Sequence, residues 1–233
     1  MSPPTRQYKN RVLAALPRVE IERLAPNLLP VILKARTLLL DGRADHAYFL
    51  EDGLASVMVT LADGATVEVG VVGIDGVVGL PILLGARTMP GQTFIQIGGS
   101  GYRIDARHLK DEFERPGQLR NILQKYMMAH MVQSAQNSAC NRLHTIVERL
   151  ARWLLACHDR IQSDCIQLTQ ELLGQTLGAP RTTVTLAAKL LQQAGLIDYS
   201  RGNVQIKNRL GLENASCECY ETVRGEFRRL GLL

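Results

Sequence analysis

"LTQELLGQTLGAPRTTVTLAAKLLQQAGLI", residues 168–197, holds two apolar-periodic runs on either side of a Gly-Ala-Pro turn. Leu173 and Leu177 repeat at i, i+4 in the first run, and Val184, Ala187, Ala188 and Leu191 form one stripe of the second. Thr169 suits a helix N-cap with Glu171 near the positive end of the helix, and Gly174 is small enough for another segment to approach closely. Gly178 suits a left-handed C-terminal residue and Pro180 the start of the next helix. Two helices joined by a short glycine-containing turn are expected, which is a helix-turn-helix. "LIDYSRGNVQIKN" follows, alternating and turning at Arg201-Gly202-Asn203, and predicts a β-hairpin wing.

The second helix opens on Arg181, Thr182 and Thr183, where a first turn ordinarily favours acids. Between residues 172 and 209 five basic side chains stand against Asp198 alone, whereas the whole segment from 159 has nine basic and eight acidic residues. Positive charge is therefore concentrated on the motif. A recognition helix enters the major groove by its N-terminal residues. Arg181 can fork onto guanine, and Thr182 and Thr185 can meet base edges or a thymine methyl. Thr169, Gln170, Thr183, Lys189, Arg201 and Asn203 are the expected remaining DNA contacts, chiefly to the backbone. The competing reading is a helical hairpin used for packing or protein contacts.

Upstream the texture differs. From about residue 28 to 106, short β-rich segments ("YFLEDG", "ASVMVTL", "TVEVGVV", "TFIQI", "GYRI") alternate with Gly, Asp and Pro, and Asp63-Gly64 marks a hairpin. A barrel or roll of about eight strands is expected, preceded by a short helical segment over 8–25 broken at Pro17. After Gly117 no glycine or proline occurs until Gly174, so 118–158 reads as one helix about 60 Å long. A row from Leu123 through Tyr126, His130, Gln133, Asn137, Cys140 and His144 to Leu154 steps by three and four with a polar middle. It predicts a dimer seam whose polar centre fixes register, or else a helix lying on its own domain. A second row, Val132, Ala135, Ala139, Leu143, Ile146, Leu150 and Trp153, is more apolar. Residues 159–167 read as a hinge. The expected class is α+β: a β-roll or jelly-roll sensor over 1–108, a long dimerisation helix over 109–158, and a winged helix-turn-helix over 159–233.

The chain has 233 residues, 46% hydrophobic and 21% charged, with a formal charge of +5, which excludes a disordered chain and suits an acidic partner such as nucleic acid. Five cysteines suit reduced thiols. The first sixteen residues lack the apolar core of a signal peptide, and "VEVGVVGIDGVVGLPILLG" (67–85) carries Glu68, Asp75 and five glycines, reading as strands and turns. A cytoplasmic protein without membrane contact is expected.

The order of roll, long helix and winged helix resembles the Crp/Fnr family of bacterial transcription regulators over nearly the whole chain. The likeness is closest in 168–197 and in "YSRGNVQIKNRLGLENASCECY", with Gly178, Arg181, Thr182 and Thr183 matching the family's glycine, turn, arginine and small polar residues. The resemblance implies a homodimer on a palindromic operator in double-stranded DNA, Arg181 as the main base reader, RNA polymerase as a partner, a cyclic-nucleotide-binding-like sensor and a small-molecule effector. The sensor departs from the family. The Gly-Glu pair and Arg-Ser/Thr-Ala segment of cyclic-AMP-binding members are missing from "GVVGLPILLGARTMPGQTFIQI". Arg87, Ser134 and His130 are the candidate effector contacts.

No cysteine precedes Cys140, so the family's N-terminal iron–sulfur cluster is excluded; a haem or nucleotide effector stays open, and otherwise no cofactor is expected. The pair Cys217 and Cys219 is too small for a tetrahedral metal site alone and reads as surface or packing, so no metal ligands are assigned. No catalytic residues are assigned either. The rival reading, a cupin-like metal-binding enzyme or ligand-binding protein, has only His46, Glu51 and His108, without an H-x-H pair.

Overall fold

The computed structural model describes residues 7–168, 170–200 and 202–233. Two short helices come first, α1 (Arg11–Ala14) and α2 (Arg18–Leu24), separated at Pro17 as expected. Seven strands follow: β1 (Leu29–Leu33), β2 (Leu38–Arg43), β3 (His46–Leu50), β4 (Leu54–Thr60), β5 (Thr66–Val72), β6 (Thr88–Ile97) and β7 (Gly99–Asp105). They form two antiparallel sheets of order β1-β7-β3 and β2-β6-β4-β5. The β4–β5 hairpin turns at Asp63-Gly64, where Gly64 takes φ +85° and the Asp63 carboxylate accepts the Ala65 N–H. A one-turn helix, α3 (Leu80–Leu83), interrupts the roll between β5 and β6, and α4 (Ala106–Glu114) closes it. Phe49, Leu50, Ile95, Ile104 and Leu109 are buried in the core.

The long helix is not continuous. It divides into α5 (Gln118–Leu143) and α6 (Ile146–Ile161). Thr145 is extended, and a full capping box joins it to Glu148: each side chain meets the other residue's backbone N–H. Thr-x-x-Glu restarts the helix by satisfying N–H groups that an unbroken helix would have bonded to carbonyls. A joint therefore lies at 144–145, within the helix expected to run unbroken over 118–158. Leu150, Trp153, Leu154 and Cys157 of α6 share one core with the C-terminal helices.

The buried face of α5 is the row Leu123, Tyr126, Gln133, Asn137 and Cys140. This row, the expected dimer seam, is occupied within its own chain. The cause is β5, an edge strand whose backbone groups need partners. The Val71 N–H donates to Gln133 Oε1 at 3.0 Å, and Asn137 Nδ2 donates to the Val69 carbonyl at 3.1 Å. The polar middle of the helix thus covers a sheet edge. Gly70 of β5 permits this approach, since a Cβ there would fall 2.8 Å from Gln133 Oε1, and Gly76 makes room for the Tyr126 ring in the same way.

The C-terminal unit comprises β8 (Cys165–Gln167), α7 (Gln170–Leu177), α8 (Arg181–Gln193), β9 (Ile197–Ser200), β10 (Asn203–Ile206), α9 (Arg209–Ala215) and α10 (Cys219–Arg229). The wing is three-stranded, β8-β10-β9. Helix α10 turns back onto the N-terminal half: Phe227 and Leu232 belong to the core of the roll, and Phe227 meets Tyr126 edge-on at 6.2 Å. No helix among the described residues is long and apolar enough to cross a membrane.

Candidate nucleic-acid interface

Helices α7 and α8 meet at a tight turn. Gly178 has φ +54°, and a Cβ on Gly174 would lie 3.2 Å from the Ala179 carbonyl oxygen, so a side chain would be strained at the first and crowded at the second. Leu173, Leu177, Val184, Ala187, Ala188 and Leu191 are all buried. The hairpin is held from beneath by the guanidinium of Arg149, which donates to the Leu177 carbonyl.

With its apolar stripe buried, α8 turns its first residues outward. Arg181, Thr182, Thr183 and Lys189 are exposed, and no acid stands in the first turn. Thr185 is half-buried, and its hydroxyl donates to the Arg181 carbonyl at 2.8 Å, so that group is engaged within the helix. Asn203 is exposed at the start of β10, beside the wing turn at Gly202. Thr169 and Arg201 lie outside the described residues, as does the side chain of Gln170. The structure therefore brings Arg181, Thr182, Thr183 and Lys189 onto one helix, with Asn203 on the wing.

Residues 148–215 match the family model described as a Crp-like helix-turn-helix domain. The whole architecture is shared with solved regulators. FixK2 from Bradyrhizobium japonicum superposes with a TM-score of 0.69 at 17% identity, covering 82% of this chain and 98% of the other. A Crp/Fnr-family transcriptional regulator from Thermus thermophilus gives 0.65 at 20% identity over 83% and 98%. CLP of Xanthomonas campestris, described as a c-di-GMP-responsive global regulator, gives 0.65 at 15% over 82% and 99%. This is the Crp/Fnr fold. No curated protein matches the sequence significantly.

Within this Crp/Fnr fold the C-terminal unit is fastened to the roll by buried polar links. Trp153 Nε1 donates to Glu68 Oε1 at 2.8 Å, Arg160 pairs with Asp75 at 2.8 Å, and Gln96 Nε2 donates to Thr176 Oγ1 at 3.1 Å. Burial raises Glu68 to about 7, against the lowering pull of its Ser56 and Trp153 hydrogen bonds and of Arg152 and Arg160. The apolar row through Trp153 suits packing on the roll, as is found, but lone polar residues within strands and helices carry no sign of partners far along the chain. A groove between the β4–β5 hairpin and the α7–α8 turn is lined by Ala65, Thr66, Val67, Arg149, Gly178 and Arg181. Arg181, though exposed, thus borders a groove shared with the β4–β5 hairpin.

The three candidate effector residues are placed differently from one another. Arg87 is exposed on the turn after α3, while His130 and Ser134 lie on α5. Burial, reinforced by Arg160, lowers His130 to about 4, leaving it neutral. The cavity against α5 is lined by other groups, among them Glu68, Gln133, Asn137, Arg152 and Arg160. The residues of the rival enzyme reading have other duties. The Glu51 carboxylate accepts the backbone N–H groups of Lys9 and Asn10, His46 stands opposite Asp105 in the β3–β7 ladder, and His108 is exposed on α4.

Cys217 and Cys219 are buried, and they are not alone. Cys140, in the last turn of α5, and His144, its C-cap, bring their ligand atoms within 4.8 Å of both. The Cys-x-Cys pair alone is too small for a tetrahedral site, and the two further donors lie more than seventy positions upstream.

Proposed function

We propose that the protein is a sequence-specific DNA-binding transcription regulator of the Crp/Fnr type, acting as a homodimer on a two-fold-symmetric operator. The observation that carries this reading is the exposed, acid-free first turn of α8, Arg181-Thr182-Thr183, on a Crp-like helix-turn-helix domain. Arg181 reads a guanine edge, Thr182 and the Thr185 methyl contact neighbouring bases, and Thr169, Gln170, Thr183, Lys189, Arg201 and Asn203 hold the phosphate backbone.

The free face of α5 supports the dimer. Met128, Met131, Ala135 and Ala139 are exposed at helical spacing on the side away from the roll. Pairing of two such faces would set the recognition helices one DNA turn apart, ~34 Å. The buried links between roll and C-terminal unit, and the groove shared by Arg181 and the β4–β5 hairpin, favour control through the sensor. A small-molecule effector would act by binding one arrangement of the two units better than the other. Contact with RNA polymerase follows from the same reading.

Enrichment of bound duplexes from a random pool tests the function. A symmetric consensus with its half-site centres about ten base pairs apart is expected. A pool that stays unenriched through successive rounds contradicts it.

A further inference from the structure

Cys140 and His144 lie one turn apart at the C-terminal end of α5, and Cys217 and Cys219 flank Glu218 where α10 begins. The four ligand atoms all fall within 4.8 Å of one another. Cys140 Sγ and Cys217 Sγ are 3.5 Å apart, and Cys219 Sγ is 3.5 Å from His144 Nδ1. A tetrahedral zinc ion, with Zn–S about 2.3 Å and Zn–N about 2.0 Å, has S–S edges of about 3.8 Å and S–N edges of about 3.6 Å. These two separations match those edges to within a few tenths of an ångström, and the other four fall under the common 4.8 Å limit.

The surroundings match a metal centre better than a packing cluster. Three buried thiols and an imidazole make a poor core, because S–H is a weak donor and the ring nitrogens need partners. The other nitrogen of His144, Nε2, lies 3.3 Å from the Glu218 carboxylate, the outer partner that orients a ligating histidine. Gln136 Nε2 donates to Cys219 Sγ at 3.1 Å, and the guanidiniums of Arg149 and Arg152 act electrostatically on Cys140. Those positive groups offset the single negative charge left when three thiolates and a neutral imidazole hold a divalent cation. A disulfide between Cys140 and Cys217 would leave Cys219 and His144 without a role. An iron–sulfur cluster spreads its ligands over separate irons and does not suit donors gathered round one point.

We propose that Cys140, His144, Cys217 and Cys219 bind one zinc ion as a tetrahedral site of three thiolates and one imidazole. Binding releases the three thiol protons to solvent, involves no redox change, and leaves His144 coordinated through Nδ1. The ligands fall immediately outside the matched segment 148–215, one pair before it and one after. The ion therefore fastens both ends of the helix-turn-helix domain to the last turn of α5, beside the joint at 144–145. This site is independent of the DNA-reading proposal.

Elemental analysis of the full chain, purified without a metal-binding tag under reducing conditions, is expected to find about one zinc per chain. After chelation, titration of the reduced protein with cobalt(II) should give thiolate-to-metal charge-transfer bands and the strong visible absorption of tetrahedral cobalt, both abolished by added zinc. Cys217→Ser/Cys219→Ser should lose the metal and the spectrum, as should His144→Ala. Should those variants fail to fold, the cobalt titration of the unaltered chain decides alone. The assignment is overturned by a reduced chain that purifies without zinc and gives no tetrahedral cobalt spectrum, or by zinc retained in a folded double-serine variant.

Discussion

The indole N–H of Trp153 in α6 donates to the carboxylate of Glu68 in β5 at 2.8 Å, a buried bond between the helix-turn-helix unit and the β-roll. Ser56 Oγ donates to the other oxygen of the same carboxylate at 2.6 Å. An acid so placed links proton concentration to the junction between the two halves.

Glu68 has its folded-state value raised to about 7, above the unfolded one near 4.5, with burial as the main cause. Between those values the native state holds a proton that the unfolded state has released, so stability falls as pH rises from about 4.5 to 7 and is level beyond. The loss attributable to this group is roughly 3 kcal/mol. Glu68→Gln keeps an acceptor for Trp153 and cannot ionise. Denaturant midpoints across that range should be flatter for the variant than for the parent; parallel curves would remove Glu68 from the account.

Arg160 and Asp75 form a buried pair at 2.8 Å, and Arg160 also stacks over Phe227 of α10. Asp75→Ala strands the guanidinium and should cost ~3–5 kcal/mol. A double variant, Asp75→Ala with Arg160→Met, should recover a large part of the loss because no unpaired charge remains. Urea melts of the three proteins supply the comparison, and equal losses in single and double variants would show the pair to be unimportant.

Thr145→Ala removes the hydroxyl half of the capping box that begins α6 and should cost about 1 kcal/mol. Thr145→Ser should be close to neutral. Thermal unfolding distinguishes them, and matching melting temperatures for all three would mean that packing alone sets the break at 144–145.

Met131, 68% exposed at the centre of the free face of α5, is the position where a charge should prevent pairing of two chains. Met131→Glu is expected to give a monomer by light scattering with an unchanged far-ultraviolet spectrum, while the parent is a dimer. A variant that remains dimeric would place the interface elsewhere.

What could be read from residue order alone was what local chemistry writes. Gly178, Pro180 and the stripe from Val184 to Leu191 mark the helix-turn-helix because turn geometry and helical period are local properties. Asp63-Gly64 announced its hairpin for the same reason. The break between α5 and α6 was also present, as Thr145-x-x-Glu148, but lay inside a row that continued the helical period on both sides. The polar run Gln133–Asn137 suggested a register device between two chains, whereas it covers the edge of β5; periodicity shows that a face is buried and not what buries it. β8, three residues long and largely polar, gave no alternating signal. The cluster of Cys140, His144, Cys217 and Cys219 and the Glu68–Trp153 bond depend on segments distant in sequence, and only the fold brings them together.

Base reading by Arg181 is the central claim. Its most direct test is the affinity of the parent protein and of Arg181→Ala for the enriched duplex and for a scrambled duplex, at one fixed salt concentration. The variant should lose ~1–3 kcal/mol on the enriched duplex and little on the scrambled one, so that discrimination collapses. Lys189→Ala, the backbone control, should weaken both equally and lower the salt dependence. An Arg181→Ala protein that loses equally on both duplexes, or keeps its full preference, would contradict the account.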